Sequence, residues 1–142
     1  CWMPCNLKVS PFDVVNFVRE IKVPNENCLY KAIRSERPFI DKVKTLFFSL
    51  IQSVFLKSFV YDSGGTPTMV HRKFFKNYNN FPDDYAFETY VILKAKYTNL
   101  QIKRLKVKYG KRKYGESHWQ NGLIAEIDFI KNMYISSKKW KF

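Results

Sequence analysis

The chain has 142 residues, 46% of them hydrophobic and 18% aromatic, which is too apolar for a disordered chain and long enough for one domain with its own core. Its formal net charge of +13 calls for a negatively charged partner or surface: lipid headgroups, phosphates or nucleic acid. The three cysteines, Cys1, Cys5 and Cys28, are irregularly spaced and form no CxxC pair, which argues against a disulfide framework and a zinc site and fits a reducing compartment.

At the N-terminus, Cys1-Trp2-Met3-Pro4 has neither a basic flank nor a long apolar run, so it is no signal peptide. The missing initiator methionine suggests a fragment. Trp2 to Val9 reads as the end of a buried strand followed by a loop. Ser10-Pro11-Phe12-Asp13 is a helix start, with Ser10 as cap, proline at the first position and Asp13 closing a capping box. Val14, Val15, Val18 and Ile21 line one face of that helix, which ends near Lys22. Cys28 to Ile33 reads as a short strand with Arg34 and Arg37 at its end.

Pro38 opens a long helix, Phe39 to about Phe59, apolar at 39, 43, 46, 47, 50, 51, 54 and 55. Its uncharged run, Thr45 to Leu56, is too short to span a membrane, which takes roughly 20 residues. The stripe suits a core helix, although Phe47, Phe48, Phe55 and Phe59 exceed a single core face and leave an interfacial helix open. Asp62-Ser-Gly-Gly-Thr-Pro67 is the most turn-rich stretch and must be a loop. It is either a connector or a backbone cradle with Asp62 directed into a cleft. A strand from Thr68 to His71 and a short helix with Phe74, Phe75 and Tyr78 follow. His71 is more readily a structural hydrogen-bonder than a base, and Asp83 and Asp84 suit a cap on the next helix.

That helix, Ala86 to Tyr97, places Phe87, Val91 and Ala95 on one face and Glu88 in its first turn, where the dipole favours a carboxylate. Leu100, Ile102, Leu105 and Val107 make a strand whose alternation slips between 102 and 105, which predicts a bulge or twist. The tail, residues 123–142, is an amphipathic basic helix with Leu123, Ile127, Ile130 and Tyr134 on one face. Its lysines interleaved with Trp140 and Phe142 suit a helix in a headgroup plane as well as a plain fraying terminus.

Between strand and tail, Gly110-Lys-Arg-Lys-Tyr-Gly-Glu-Ser-His-Trp119 turns abruptly basic and glycine-punctuated. Arg112 supplies a planar fork for a phosphate, Gly115 permits a tight turn, and Ser117 offers a hydroxyl. An anion clamp and a basic hairpin end in solvent both satisfy this spacing.

The segment from Arg112 to Trp119 resembles the Arg-x-x-Gly-x-Ser-Lys/His segment of family 2 glycosyltransferases, especially dolichyl- and polyprenyl-phosphate sugar transferases. Further matches fall in the family's order. Asn6-Leu-Lys-Val-Ser-Pro-Phe-Asp13 resembles the Asp-Leu-Gln-x-x-Pro-Glu-Asp stretch, and Tyr30-Lys-Ala-Ile-Arg34 the Gly-x-Arg strand end. Asp62-Ser-Gly-Gly-Thr-Pro-Thr-Met-Val-His-Arg72 resembles the Asp-x-x-Gly-x-x-x-x-x-x-Arg segment. Ala86-Phe-Glu88 resembles the Phe-Glu that opens the following helix.

The resemblance implies an α/β fold: the C-terminal portion of a GT-A (nucleotide-diphospho-sugar transferase) domain over residues 1–122, a mixed sheet with packed helices, its nucleotide-binding half lying before Cys1. It implies sugar transfer from a nucleotide sugar to a polyprenyl-phosphate or glycan acceptor, with the protein cytoplasmic and peripheral on an anionic membrane surface. Asp62 and Glu88 would address the sugar or acceptor. Asn6, Lys8, Arg34, Gly64, Gly65, Arg72, Arg112, Gly115 and Ser117 would bind substrate, with Arg34 and Arg112 on phosphates. The family holds Mg²⁺ or Mn²⁺ with Asp-x-Asp, but Pro4-Cys5-Asn6 stand there and Lys8 replaces the glutamine, so no metal cofactor is expected in this chain. Lys8 would instead place an ammonium near the diphosphate. Two other readings remain: a basic nucleic-acid-binding module, against which the absence of any RRM, KH or zinc signature argues, and a non-catalytic membrane-peripheral remnant.

Overall fold

The computed structural model of the chain describes residues 1–3, 8–76, 81–84, 86–110 and 123–140. Ser10 opens the first helix, α1 (Pro11–Glu20), its hydroxyl accepting the Phe12 amide at 3.2 Å. Lys22, at φ 48, turns the chain out of that helix. The strand β1 (Cys28–Ser35) follows, then α2 (Phe39–Phe55), β2 (Thr68–Val70), a 3₁₀ turn (Arg72–Phe75), α3 (Phe87–Tyr97), β3 (Gln101–Lys108) and α4 (Leu123–Ser137).

These elements form an α/β fold on a small mixed sheet of strand order β2-β1-β3. β1 is central, antiparallel to β2 through Leu29↔Val70 and Lys31↔Thr68, and parallel to β3 from Cys28↔Gln101 to Ser35↔Lys108. Trp2 extends the sheet by a single bridge to Thr68 rather than a strand. Because β1 is covered on both faces, it is buried from Cys28 to Ala32 without alternation. Cys28, Tyr30 and Ala32 pack with Val9, Phe17, Ile21, Val107 and Tyr109 under α1. On the other side Leu29 packs with Phe74, Tyr90, Val91 and Ala95 under α3.

The register of β3 is unbroken, so the bulge expected between 102 and 105 is absent. Leu105 and Val107 face the α1 core while Ile102 faces the α3 core. The slip in alternation reflects a strand with apolar partners on both sides, and a regular pleat satisfies it.

The core-helix expectation for α2 is also corrected. α2 ends at Phe55, and Lys57 at φ 48 reverses the chain so that the Val60 amide reaches Ser53 Oγ. Its buried residues are Ser49 and Gln52, whereas Phe39, Ile40, Val43, Leu46, Phe47, Leu50 and Val54 face outward. The polar side faces inward because the following loop presents backbone groups that need partners: Ser49 Oγ accepts the Asp62 amide, and Gln52 Oε1 accepts Ser63 Oγ.

α4 lies against α2 through Phe129 on Phe48 and Tyr134 on Phe55, ring centroids 5.3 and 5.4 Å apart. Its inward face runs through Ile130 and Met133; Ile127, expected on that face, is exposed. Trp140 does not project from the tail but packs edge-on against Tyr90 at 5.4 Å. No helix among the described residues is long and apolar enough to cross a membrane.

Candidate functional site

In open, mostly parallel α/β sheets ligands bind beyond the carboxyl ends of the strands, and the parallel pair here offers the same kind of end. β1 and β3 run parallel and side by side, and their ends deliver Arg34 and Tyr109 to one corner. The loop from Tyr61 to Pro67 closes that corner from α2. Asp62 is buried, sits at φ 43 and accepts Arg34 Nε at 2.6 Å and the Arg34 amide at 3.2 Å, with Arg34 Nη2 in direct contact. The Arg34 guanidinium is thus oriented by a charge-assisted pair that also holds its backbone.

The rest of the corner is basic. Arg37 donates to Thr45 Oγ1 at 2.7 Å and stands 3.8 Å from Asp41. Arg104 donates to the carbonyls of Tyr61 at 2.6 Å and Asp62 at 3.5 Å, and among the described residues it forms no ion pair. Burial, then the neighbouring Arg34 charge, lowers the pKa of Arg37; burial lowers that of Arg104, while Asp62 opposes the change. Tyr109 exchanges a 2.7 Å hydrogen bond with Thr66 and lies 5.8 Å below the Arg34 guanidinium. Burial raises its pKa against the Thr66 bond. Arg34 and Arg37 pair with Asp62 and Asp41, and Arg104 reaches the same loop from the opposite face of the sheet through the Tyr61 and Asp62 carbonyls. Cations therefore outnumber carboxylates around the loop, which suits a phosphate-bearing ligand.

Of the residues singled out from sequence, the structure brings Arg34, Asp62, Gly64 and Gly65 together here. The backbone of Lys8 joins them, its carbonyl accepting the Gly110 amide at 2.9 Å. Gly110 leads into the segment 111–119, so Arg112, Gly115 and Ser117 follow directly from this corner in sequence, although they and Asn6 lie outside the described residues.

Arg72 and Glu88 are elsewhere. Arg72 is exposed in the 3₁₀ turn, where His71 acts structurally, its Nδ1 accepting the Lys73 amide. Asp84 accepts the Ala86 amide at 2.8 Å in the turn before α3. The helix's N-cap is Ala86, without a side-chain cap bond, so the expected cap on this helix is not formed. Glu88, in the first turn of α3, accepts Lys31 Nζ at 2.5 Å and Trp2 Nε1 at 2.7 Å, with Thr68 Oγ1 at 3.4 Å. Lys31 itself is fully buried on β1, and burial lowers its pKa against the pull of Glu88.

Sequence reasoning missed Lys31 and Arg104. A lysine inside an apolar strand was the available signal for Lys31. Arg104 is one of four cations on β3, with Lys103, Lys106 and Lys108, and only its packing against the Tyr61–Asp62 turn distinguishes it.

The stretch that resembles the metal-binding motif of family 2 glycosyltransferases does not carry the donors a hard divalent cation takes. Pro4, Cys5 and Asn6 carry no carboxylate, and such ions take charged oxygen ligands. Calorimetry with Mn²⁺ is accordingly expected to show no stoichiometric site of micromolar affinity; one such site would overturn this assignment. Compared with known proteins, the chain matches no family model, no curated protein and no solved structure.

Proposed function

We propose that this chain is the C-terminal part of a GT-A-type family 2 glycosyltransferase that moves a sugar from a nucleotide sugar to a polyprenyl-phosphate or glycan acceptor at a membrane face. The observation that carries the reading is convergence. Arg34 and the Asp62-Ser-Gly-Gly turn resemble separate family segments and come from separate parts of the chain, and the strand end beside them, Tyr109-Gly110, precedes the segment 112–119 in sequence. They meet at the carboxyl ends of the two parallel strands.

In this reading Arg34 and Arg112 hold phosphates, offsetting negative charge on the acceptor phosphate and on the leaving diphosphate. A guanidinium already held in place does so without reorganisation during the reaction. Asp62 acts through Arg34, as a positioning residue, because both its carboxylate oxygens are engaged by that arginine. Gly64 leaves the flank of the guanidinium open, since a side chain there would stand 3.7 Å from it.

The test is polyprenyl-phosphate affinity. Arg112→Lys keeps the charge but loses the bidentate fork, and should weaken binding by about 1.5–3 kcal/mol, the worth of a charged hydrogen bond. Arg112→Gln should cost at least as much. Lys111→Gln and Lys113→Gln should change binding by less than about 1 kcal/mol, as dispersed surface charges do. If Arg112→Lys binds like the parent while the lysine variants weaken binding, the phosphate-clamp assignment is wrong and a diffuse basic surface remains.

A further inference from the structure

An amphipathic helix on a globular protein normally turns its apolar stripe toward the core. α2 does the opposite. Its inward side is Thr45, Ser49, Gln52 and Ser53, tied down by hydrogen bonds to the loop, to α3 and to α4. Ser53 Oγ accepts the Val60 amide at 2.8 Å, and Gln52 Nε2 donates to Thr89 Oγ1 at 3.2 Å and approaches Met133 Sδ at 3.0 Å. These bonds fix the rotation of the helix about its axis. Leu46, Phe47 and Leu50 are consequently 61%, 62% and 62% exposed, with Phe39, Ile40, Val43 and Val54 beside them. At about 100° per residue these side chains fill an arc of roughly 120°. An apolar groove of ≈ 400 Å³ continues the surface past Leu46 and Leu50 to Phe59 and Tyr61.

The charges around this face identify what covers it. On the same helical geometry Lys42 and Lys44 border the arc on opposite sides, and Lys57 follows its end. The carboxylate on the helix, Asp41, turns to Arg37. A second copy docked on this face about a two-fold axis would bring these lysines toward their own counterparts. An anionic surface would meet them with opposite charge, and lysine stems reach outward alongside a buried apolar stripe. The helix is about 25 Å long, and its inner side is polar and committed to the protein, so it lies along such a surface rather than crossing it.

We propose that the outward face of α2 docks the protein on an anionic lipid bilayer, with Leu46, Phe47 and Leu50 entering the headgroup–acyl boundary and Lys42, Lys44 and Lys57 meeting lipid phosphates. The proposal stands on α2 and does not depend on the glycosyltransferase reading.

Flotation of the purified chain with vesicles of phosphatidylcholine, alone or mixed with phosphatidylglycerol, tests it. Binding to the anionic vesicles is expected to be at least about tenfold stronger and to fall in high salt. The double variant Leu46→Ser/Leu50→Ser should bind about tenfold more weakly. Because both side chains are already exposed, its circular dichroism and melting should match the parent. Lys42→Gln/Lys44→Gln should also lose at least about tenfold, on anionic vesicles only. Val23→Ser, an exposed apolar position in the turn between α1 and β1, should bind like the parent. Equal binding to both vesicle types, absence of binding, or unchanged binding by the leucine variant would each overturn the proposal. So would a dimer of the parent that the leucine variant dissociates, since a second copy would then be the occupant.

Discussion

Replacing Glu88 with alanine is expected to destabilise the fold by about 3–5 kcal/mol, the usual cost of removing one partner from a buried ion pair. Lys31 has no access to solvent, and Glu88 and Thr68 accept from its ammonium at 2.5 and 3.1 Å. Without the carboxylate the charge would keep one neutral hydroxyl, and Trp2 Nε1 would also lose its acceptor. Trp2 and Lys31 bind different oxygens of Glu88, so Glu88→Gln keeps an acceptor for only one of them and should cost only somewhat less. Pairing it with Lys31→Met removes the stranded charge and should recover most of the loss.

The pH dependence follows from the same pair. Burial already lowers the Lys31 pKa from 10.5, and loss of the Glu88 charge lowers it further. A lysine depressed in the folded state binds its proton more weakly there than in the unfolded chain. Stability therefore rises with pH between the folded value and 10.5. Glu88→Ala should show a steeper alkaline gain than the parent in urea titrations. A loss below about 1 kcal/mol, with no change in pH slope, would show that water or another group already compensates Lys31.

How far the sequence carried depended on whether the deciding interaction was local. The start of α1 was legible because Ser10 accepts an amide within one turn and Pro11 fixes its own φ for the helix. The period of α2 was equally plain, but a period does not say which side faces the protein. That was decided by the polar demands of residues 60–63, which lie beyond the helix in sequence. β3 was misread because alternation assumes one wet face, and this strand sets Ile102 and Leu105 into different cores. In the candidate site the residue types were visible, but the Arg34–Asp62 pairing spans α2 and depends on where the loop returns. The family resemblance suggested Glu88 as a functional carboxylate. Its engagement with Lys31 was not legible, because a lysine in an apolar strand marks itself but not its partner 57 residues away.

Gly65→Ala is expected to cost about 2–4 kcal/mol, at the upper end for overpacking. An added Cβ would lie 2.1 Å from the Ala32 carbonyl oxygen and 3.2 Å from both the Ala32 carbonyl carbon and the Asp62 carbonyl oxygen. All three neighbours are backbone, so no flexible side chain can yield. Ala32 is on the central strand, bonded through its amide to the Pro67 carbonyl at 3.0 Å, and the Gly65 amide closes the turn on the Asp62 carbonyl at 3.0 Å. Relief therefore requires the turn to lift from β1, which would carry Asp62 away from Arg34. Gly64→Ala is the internal control. Its Cβ would make ordinary 3.7 Å contacts with the Arg34 guanidinium on an exposed flank, and its effect should stay within about 0.5 kcal/mol. Urea midpoints at constant m-value measure both. If Gly65→Ala unfolds with Gly64→Ala and the parent, the turn is not seated on β1 and Asp62 cannot be what orients Arg34. If Gly65→Ala is the less stable by the expected margin, anion binding by the still-folded fraction should fall as well, because the same displacement loosens the guanidinium that the phosphate would meet.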